Sequence, residues 1–121
     1  MSVHFNLSHG SYNWAKPTEK QWQLSLWTPT GRFSQTFPDD EKPELSGALP
    51  SDVLDMLEER VKSFWIYTGR EEDLKKCALI RERMAEFDEA WLRSEMNAAQ
   101  TRFEEAKVRL NRFVESRTEA A

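Results

Sequence analysis

Helix breakers are missing from the whole C-terminal stretch of this 121-residue chain. All four glycines (Gly10, Gly31, Gly47, Gly69) and all five prolines (Pro17, Pro29, Pro38, Pro43, Pro50) precede Arg70. Cysteine is nearly absent. Cys77 is alone, which excludes an intramolecular disulfide and fits a reducing cytoplasm. No uninterrupted apolar run is long enough to cross a bilayer, so no membrane partner is expected. The N-terminus, Met-Ser-Val-His-Phe-Asn, lacks a basic region followed by an apolar run, so no signal peptide is expected. Basic charge is not in excess. There are 17 Lys and Arg against 21 Asp and Glu, a net charge of −4. That balance weighs against a general nucleic-acid or membrane binder. Chemistry-bearing motifs are missing too: no Gly-rich phosphate loop, no serine nucleophile elbow, no paired histidines on a helix, no cysteine pair. An enzyme is therefore not expected, and neither is a cofactor or a bound metal.

What is present is enough for one core. Apolar residues make up 39% of the chain and aromatics 12%, with five tryptophans, which is not a disordered composition. Residues 1–38 read as strands. Val3, Phe5 and Leu7 alternate with His4, Asn6 and Ser8, and Trp22, Leu24 and Leu26 alternate with Gln21, Gln23 and Ser25. His9-Gly10 is placed to make a two-residue turn that pairs Leu7 with Tyr12 and Phe5 with Trp14. Thr28-Pro29-Thr30-Gly31 is a stronger turn signal. A loop at Thr30-Gly31 sets Phe33 and Phe37 on the face of Trp22, Leu24 and Leu26. A three-residue loop including Pro29 sets them with Trp27 instead. The first gives a sheet with one buried face and is favoured.

Residues 39–50 form an acidic, proline-rich connector. Residues 51–68 read as a first helix, with Ser51 as N-cap, Val53, Leu54, Leu57, Val61, Phe64 and Trp65 on one stripe, and Gly69 as its end. Thr68 and Glu71 also fit a capping box for the next helix. Residues 70–117 read as one long second helix, rich in Ala, Leu, Glu, Lys, Arg, Met and Gln. At about 1.5 Å per residue that is a rod of about 72 Å, against a radius of gyration of about 14 Å for a compact domain of this length. The fold class expected is α+β in a single domain, a three- to four-stranded antiparallel meander followed by a helical hairpin with an overlong second arm.

The long helix carries two apolar stripes. Cys77, Ile80, Met84, Phe87 and Trp91 repeat by threes and fours, and so do Leu92, Met96, Ala99, Phe103, Ala106, Leu110 and Phe113. The second series is displaced by one residue, about 100° around the helix. The first stripe is expected to pack on the first helix and the sheet. The second is expected to pack on something else: another copy in a coiled-coil homodimer, a protein partner, or the same domain after a bend near 92–97. The expected task is accordingly protein–protein interaction through Leu92, Met96, Phe103, Leu110 and Phe113. Small acidic accessory or inhibitory proteins of bacteria and phages share this size and charge, though that is analogy alone.

Other residues carry weaker signals. Asp39, Asp40, Glu41, Glu44, Asp52, Asp55, Glu58 and Glu59 stand against one base, Lys42, between residues 38 and 59. They form either a solvated surface or a contact for a basic partner, with Asp39, Asp40 and Glu41 the candidates. Trp14 and Trp27 are candidate surface anchors. His4 and His9 lack further metal ligands at convincing spacing. Cys77 sits on an apolar stripe, where cysteine behaves as a small hydrophobe. The alternative function is a nucleic-acid-binding module, with Lys16, Lys20 and Arg32 on the sheet and Arg102, Lys107, Arg109 and Arg112 on the helix.

Overall fold

The computed structural model describes residues 2–12, 15, 18–63 and 67–120. The chain is α+β, with strands β1 (His4–Gly10), β2 (Gln21–Thr28) and β3 (Gly31–Pro38), then helices α1 (Pro50–Ser63), α2 (Arg70–Arg81) and α3 (Met84–Ala120). Residues Met1–Trp91 form one compact unit and Leu92–Ala121 a second. No helix is long and apolar enough to cross a membrane among the described residues.

The sheet is an antiparallel meander in the order β1-β2-β3. The expected turn at His9-Gly10 does not form. These residues end β1, opposite Trp22 and Gln21. Leu7 meets Leu24 and Phe5 meets Leu26, so pairing with β2 satisfies the apolar face without the short hairpin. Gly10 is not among the glycines with positive φ, which a primed two-residue turn would have needed. Leu7 is therefore not paired with Tyr12, and Trp14 lies outside the described residues.

In the second hairpin Thr28 opposes Gly31, leaving Pro29-Thr30 as the two-residue loop. The Thr28 hydroxyl donates to the Gly31 carbonyl at 3.0 Å and accepts from the Gly31 amide at 3.2 Å. Gly31 has φ 154°, where a side chain is strained. The loop sits one residue earlier than expected, so the register moves by two. An even shift leaves every side chain on its face. Leu26 meets Phe33 and Trp22 meets Phe37, and the sheet has the single apolar face that was favoured.

α1 begins one residue before the expected cap. Pro50 starts it, where a missing N–H costs nothing. Ser51 is inside the helix and is not its cap. The Leu49 amide donates to the Asp52 carboxylate at 2.8 Å, and the Ser51 amide donates to Asp88 of α3 at 2.9 Å. Val53, Leu54, Leu57 and Val61 are fully buried against the sheet. Phe64 and Trp65 lie outside the described residues. α1 is assigned to Ser63, so Gly69 does not end it directly. Gly69 is instead the N-cap position of α2 with φ 97°, and no side chain caps there. The capping box from Thr68 to Glu71 is thus not made.

The 70–117 segment is two helices, not one. The interruption falls at Glu82–Arg83, and α3 runs through 92–97 without one. The Arg83 amide bonds the Ile80 carbonyl at 3.2 Å, a bond over three residues that tightens the turn. Arg83 also grips Glu86 through two bonds of 2.9 Å. No Gly or Pro causes this. Cys77, Ile80, Met84 and Phe87 all enter the core, on both sides of the tight turn. Trp91 closes the stripe, half-buried and stacked on Phe5 at 5.4 Å.

Burial sets the chemistry of two core groups. It pushes the Cys77 thiol up to about 11. It also raises Tyr67 to about 12, helped by the hydroxyl's bond to Asp73. Both groups keep their protons longer folded than unfolded, so their stabilising contribution is present at neutral pH and lost as pH climbs. Wild type is expected to lose melting temperature as pH rises from about 9 towards about 11. Cys77→Ala, less stable overall, is expected to show a shallower fall in parallel thermal melts. Phe87, fully buried, gives a second check. Phe87→Ala should cost about 3–5 kcal/mol in denaturant unfolding, whereas the exposed Phe103→Ala should change stability by no more than about 0.5 kcal/mol.

Candidate interaction surface

The second stripe stays in solvent over its whole length. Leu92, Met96, Phe103, Leu110 and Phe113 are 49–65% exposed, and Ala99 and Ala106 between them are exposed as well. The switch comes at a single residue. Trp91 still packs on its own unit's core, and Leu92, one step around the helix, is 49% exposed. The Thr101 and Thr118 hydroxyls there donate back to the carbonyls of Asn97 and Val114 at 3.0 Å. Arg117 lies 5.9 Å from the Phe113 ring and covers one end of the stripe. Val108 and Val114 are also about half exposed. Sequence reasoning passed over them because they fall outside the alternation of threes and fours.

The acidic residues divide by function. The Asp39 carboxylate accepts a hydrogen bond from His9 Nε2 at 2.6 Å, and its carbonyl accepts the Trp22 indole N–H at 3.0 Å. Glu44 accepts the Ser46 amide, and Asp52 caps α1. Asp55 and Glu58 both reach Arg81, at 3.0 and 3.1 Å. A hydrogen bond from Lys62, with Arg81 beside it, holds the Glu58 carboxyl below its usual range against the opposing effect of burial. Asp40, Glu41 and Glu59 are exposed. Glu41 and Glu59 join Asp55 and Arg60 around a shallow cleft over Phe37 and Met56. The stretch is thus largely a set of braces for its own fold, with an acidic rim that the sequence did not reveal.

Trp27 lies on the sheet face opposite Leu24 and Leu26, as expected. It is partly covered there, stacked on His4 at 4.7 Å and beneath Arg32 at 4.9 Å. Arg32 is therefore engaged with an aromatic ring. His9 stacks on Trp22 at 4.2 Å, with Lys42 4.9 Å from the same ring. An odd spacing places His4 and His9 on opposite faces of β1, so they do not converge. Among the described residues no group of His, Cys, Asp and Glu could hold a metal. Lys20, Arg102, Lys107, Arg109 and Arg112 are exposed, and Lys16 lies outside the described residues. Cys77 is buried and belongs to the core. No protein-family model, curated protein or solved structure matches this chain.

Proposed function

We propose that this chain is a non-enzymatic interaction protein that binds another protein through the apolar face of residues 92–114. The observation that supports this reading is the exposure of Leu92, Met96, Phe103, Leu110 and Phe113 along one helix face. Scattered exposed apolar residues are ordinary, but a contiguous row of large ones marks a contact surface. Each is about half to two-thirds exposed, so covering one recovers roughly 1–2 kcal/mol. Five together give roughly 5–10 kcal/mol, close to the low end of the cost of immobilising a partner. The row is therefore adequate for association only when its flanks agree with the partner.

The reading is tested by affinity capture with tagged wild type and tagged Phe103→Asp, each with and without nuclease. Circular dichroism first establishes that the variant is folded. A protein retained by wild type, indifferent to nuclease and lost with Phe103→Asp, is the expected result. The loss should be at least about 2 kcal/mol, roughly thirtyfold in affinity. Equal retention by both chains overturns the proposal. Nucleic acid on the wild-type beads, released steeply by salt, would replace it with phosphate binding through Arg102, Lys107, Arg109 and Arg112. The acidic rim enters as a secondary contact for a basic patch. Reversing Asp40, Glu41 and Glu59 to Lys should weaken the same complex less than Phe103→Asp does.

A further inference from the structure

The exposed row has a heptad phase. Met96, Phe103 and Leu110 recur every seven residues, and so do Leu92, Ala99, Ala106 and Phe113. In heptad terms the first set occupies a and the second d. A strict repeat of seven on a helix of 3.6 residues per turn drifts by about 20° per heptad, so a partner follows it only by winding around it. That geometry fits another helix better than a flat groove. The large a residues stand beside small d residues, Ala99 and Ala106, and these leave room for large side chains from the partner.

The flanks then select among partners. The g positions are Glu95, Arg102 and Arg109, and the e positions are Arg93, Gln100, Lys107 and Val114. All seven are exposed. Four bases face one acid along the edges of the row. A second copy meets this poorly. In a parallel pair, Arg102 would face Lys107 of the other copy, and Glu95 would face Gln100. In an antiparallel pair with Phe103 against Ala99, Arg102 would face itself and Arg93 would face Lys107, with Glu95 to Arg109 the one attraction. With Phe103 against Ala106, Arg102 would face Arg109. Each of these three self-pairings places like charges together where e and g residues decide partner choice.

We infer that the row at 92–113 is the receiving face for an amphipathic helix of another protein whose apolar seam is flanked by Glu and Asp. This rests on the interaction reading above and names its partner class. Apart from Glu95, the acids between residues 92 and 118, Glu104, Glu105 and Glu115, occupy b, c and f positions, away from the seam. The mildly acidic net charge of the chain therefore does not describe the charge at this face.

The test uses the full chain and two synthetic three-heptad peptides. Both carry Leu at a and d. One has Glu at e and g, the other Lys. Sedimentation velocity of the chain alone comes first, then anisotropy titrations with each labelled peptide at low and high salt. The chain is expected to sediment as a monomer and to bind the Glu peptide at least about tenfold more tightly than the Lys peptide. Salt should narrow that gap. Phe103→Asp should abolish binding, and Arg102→Glu with Lys107→Glu and Arg109→Glu should reverse the preference. A dimer that Phe103→Asp dissociates would overturn the partner class while leaving the interaction reading intact, with a second copy as occupant. Equal binding of both peptides, or of neither, would also overturn the partner class, and the capture comparison would still decide the broader reading.

Discussion

Contact between the apolar sheet face and the helices laid over it constrains the whole first unit. Leu24, Leu26 and Phe33 supply one side, and Val53, Leu54, Leu57 and Val61 supply the other. The sheet has three strands, and one layer of helix covers its apolar face. α1 and the stripe from Cys77 to Phe87 fill that layer, and Trp91 closes it at Phe5.

Polar contacts then fix how these elements sit within the unit. Asp88 holds the Ser51 amide at the start of α1. Arg60 of α1 donates to the Thr36 carbonyl of β3 at 2.8 Å. Arg81 of α2 reaches Asp55 and Glu58 of α1. Each joins two elements that the hydrophobic effect alone would let slide, since apolar burial has no direction. The same need explains why the acidic connector and α1 are so rich in carboxylates. Asp39, Glu44, Asp52, Asp55 and Glu58 each have a partner within the chain.

Residues 92–118 follow other rules. Helix propensity and hydrogen bonds within the helix maintain them, and their large apolar side chains are in water. A helix that is exposed on every side while carrying a regular apolar row has a free-energy gain available only on association. On the proposed reading, the bases beside the row and the acids behind it would make the gain depend on who associates, with affinity from the seam and choice from its edges.

Much of this was legible in residue types and spacing. Alternation over 3–7 and 22–26 placed the strands, and the stripes at 53–61 and 77–91 placed the helical cover. The single-residue phase change at Leu92 marked where the cover ends. Those signals survive in sequence because side-chain direction follows the period of the backbone. The strand pairing did not survive, because His9-Gly10 had a local turn signal that pairing with β2 outweighed. Nor did the break at Glu82–Arg83, which no Gly or Pro marks in the sequence. Ser51 was a good cap by type, but Pro50, Asp52 and a carboxylate 37 residues away took its place. The sequence by itself therefore determined which faces are apolar and where they change direction. Only the tertiary structure decided which residues meet, because a residue's alternatives are compared through contacts distant in the chain, and local preference is small beside them.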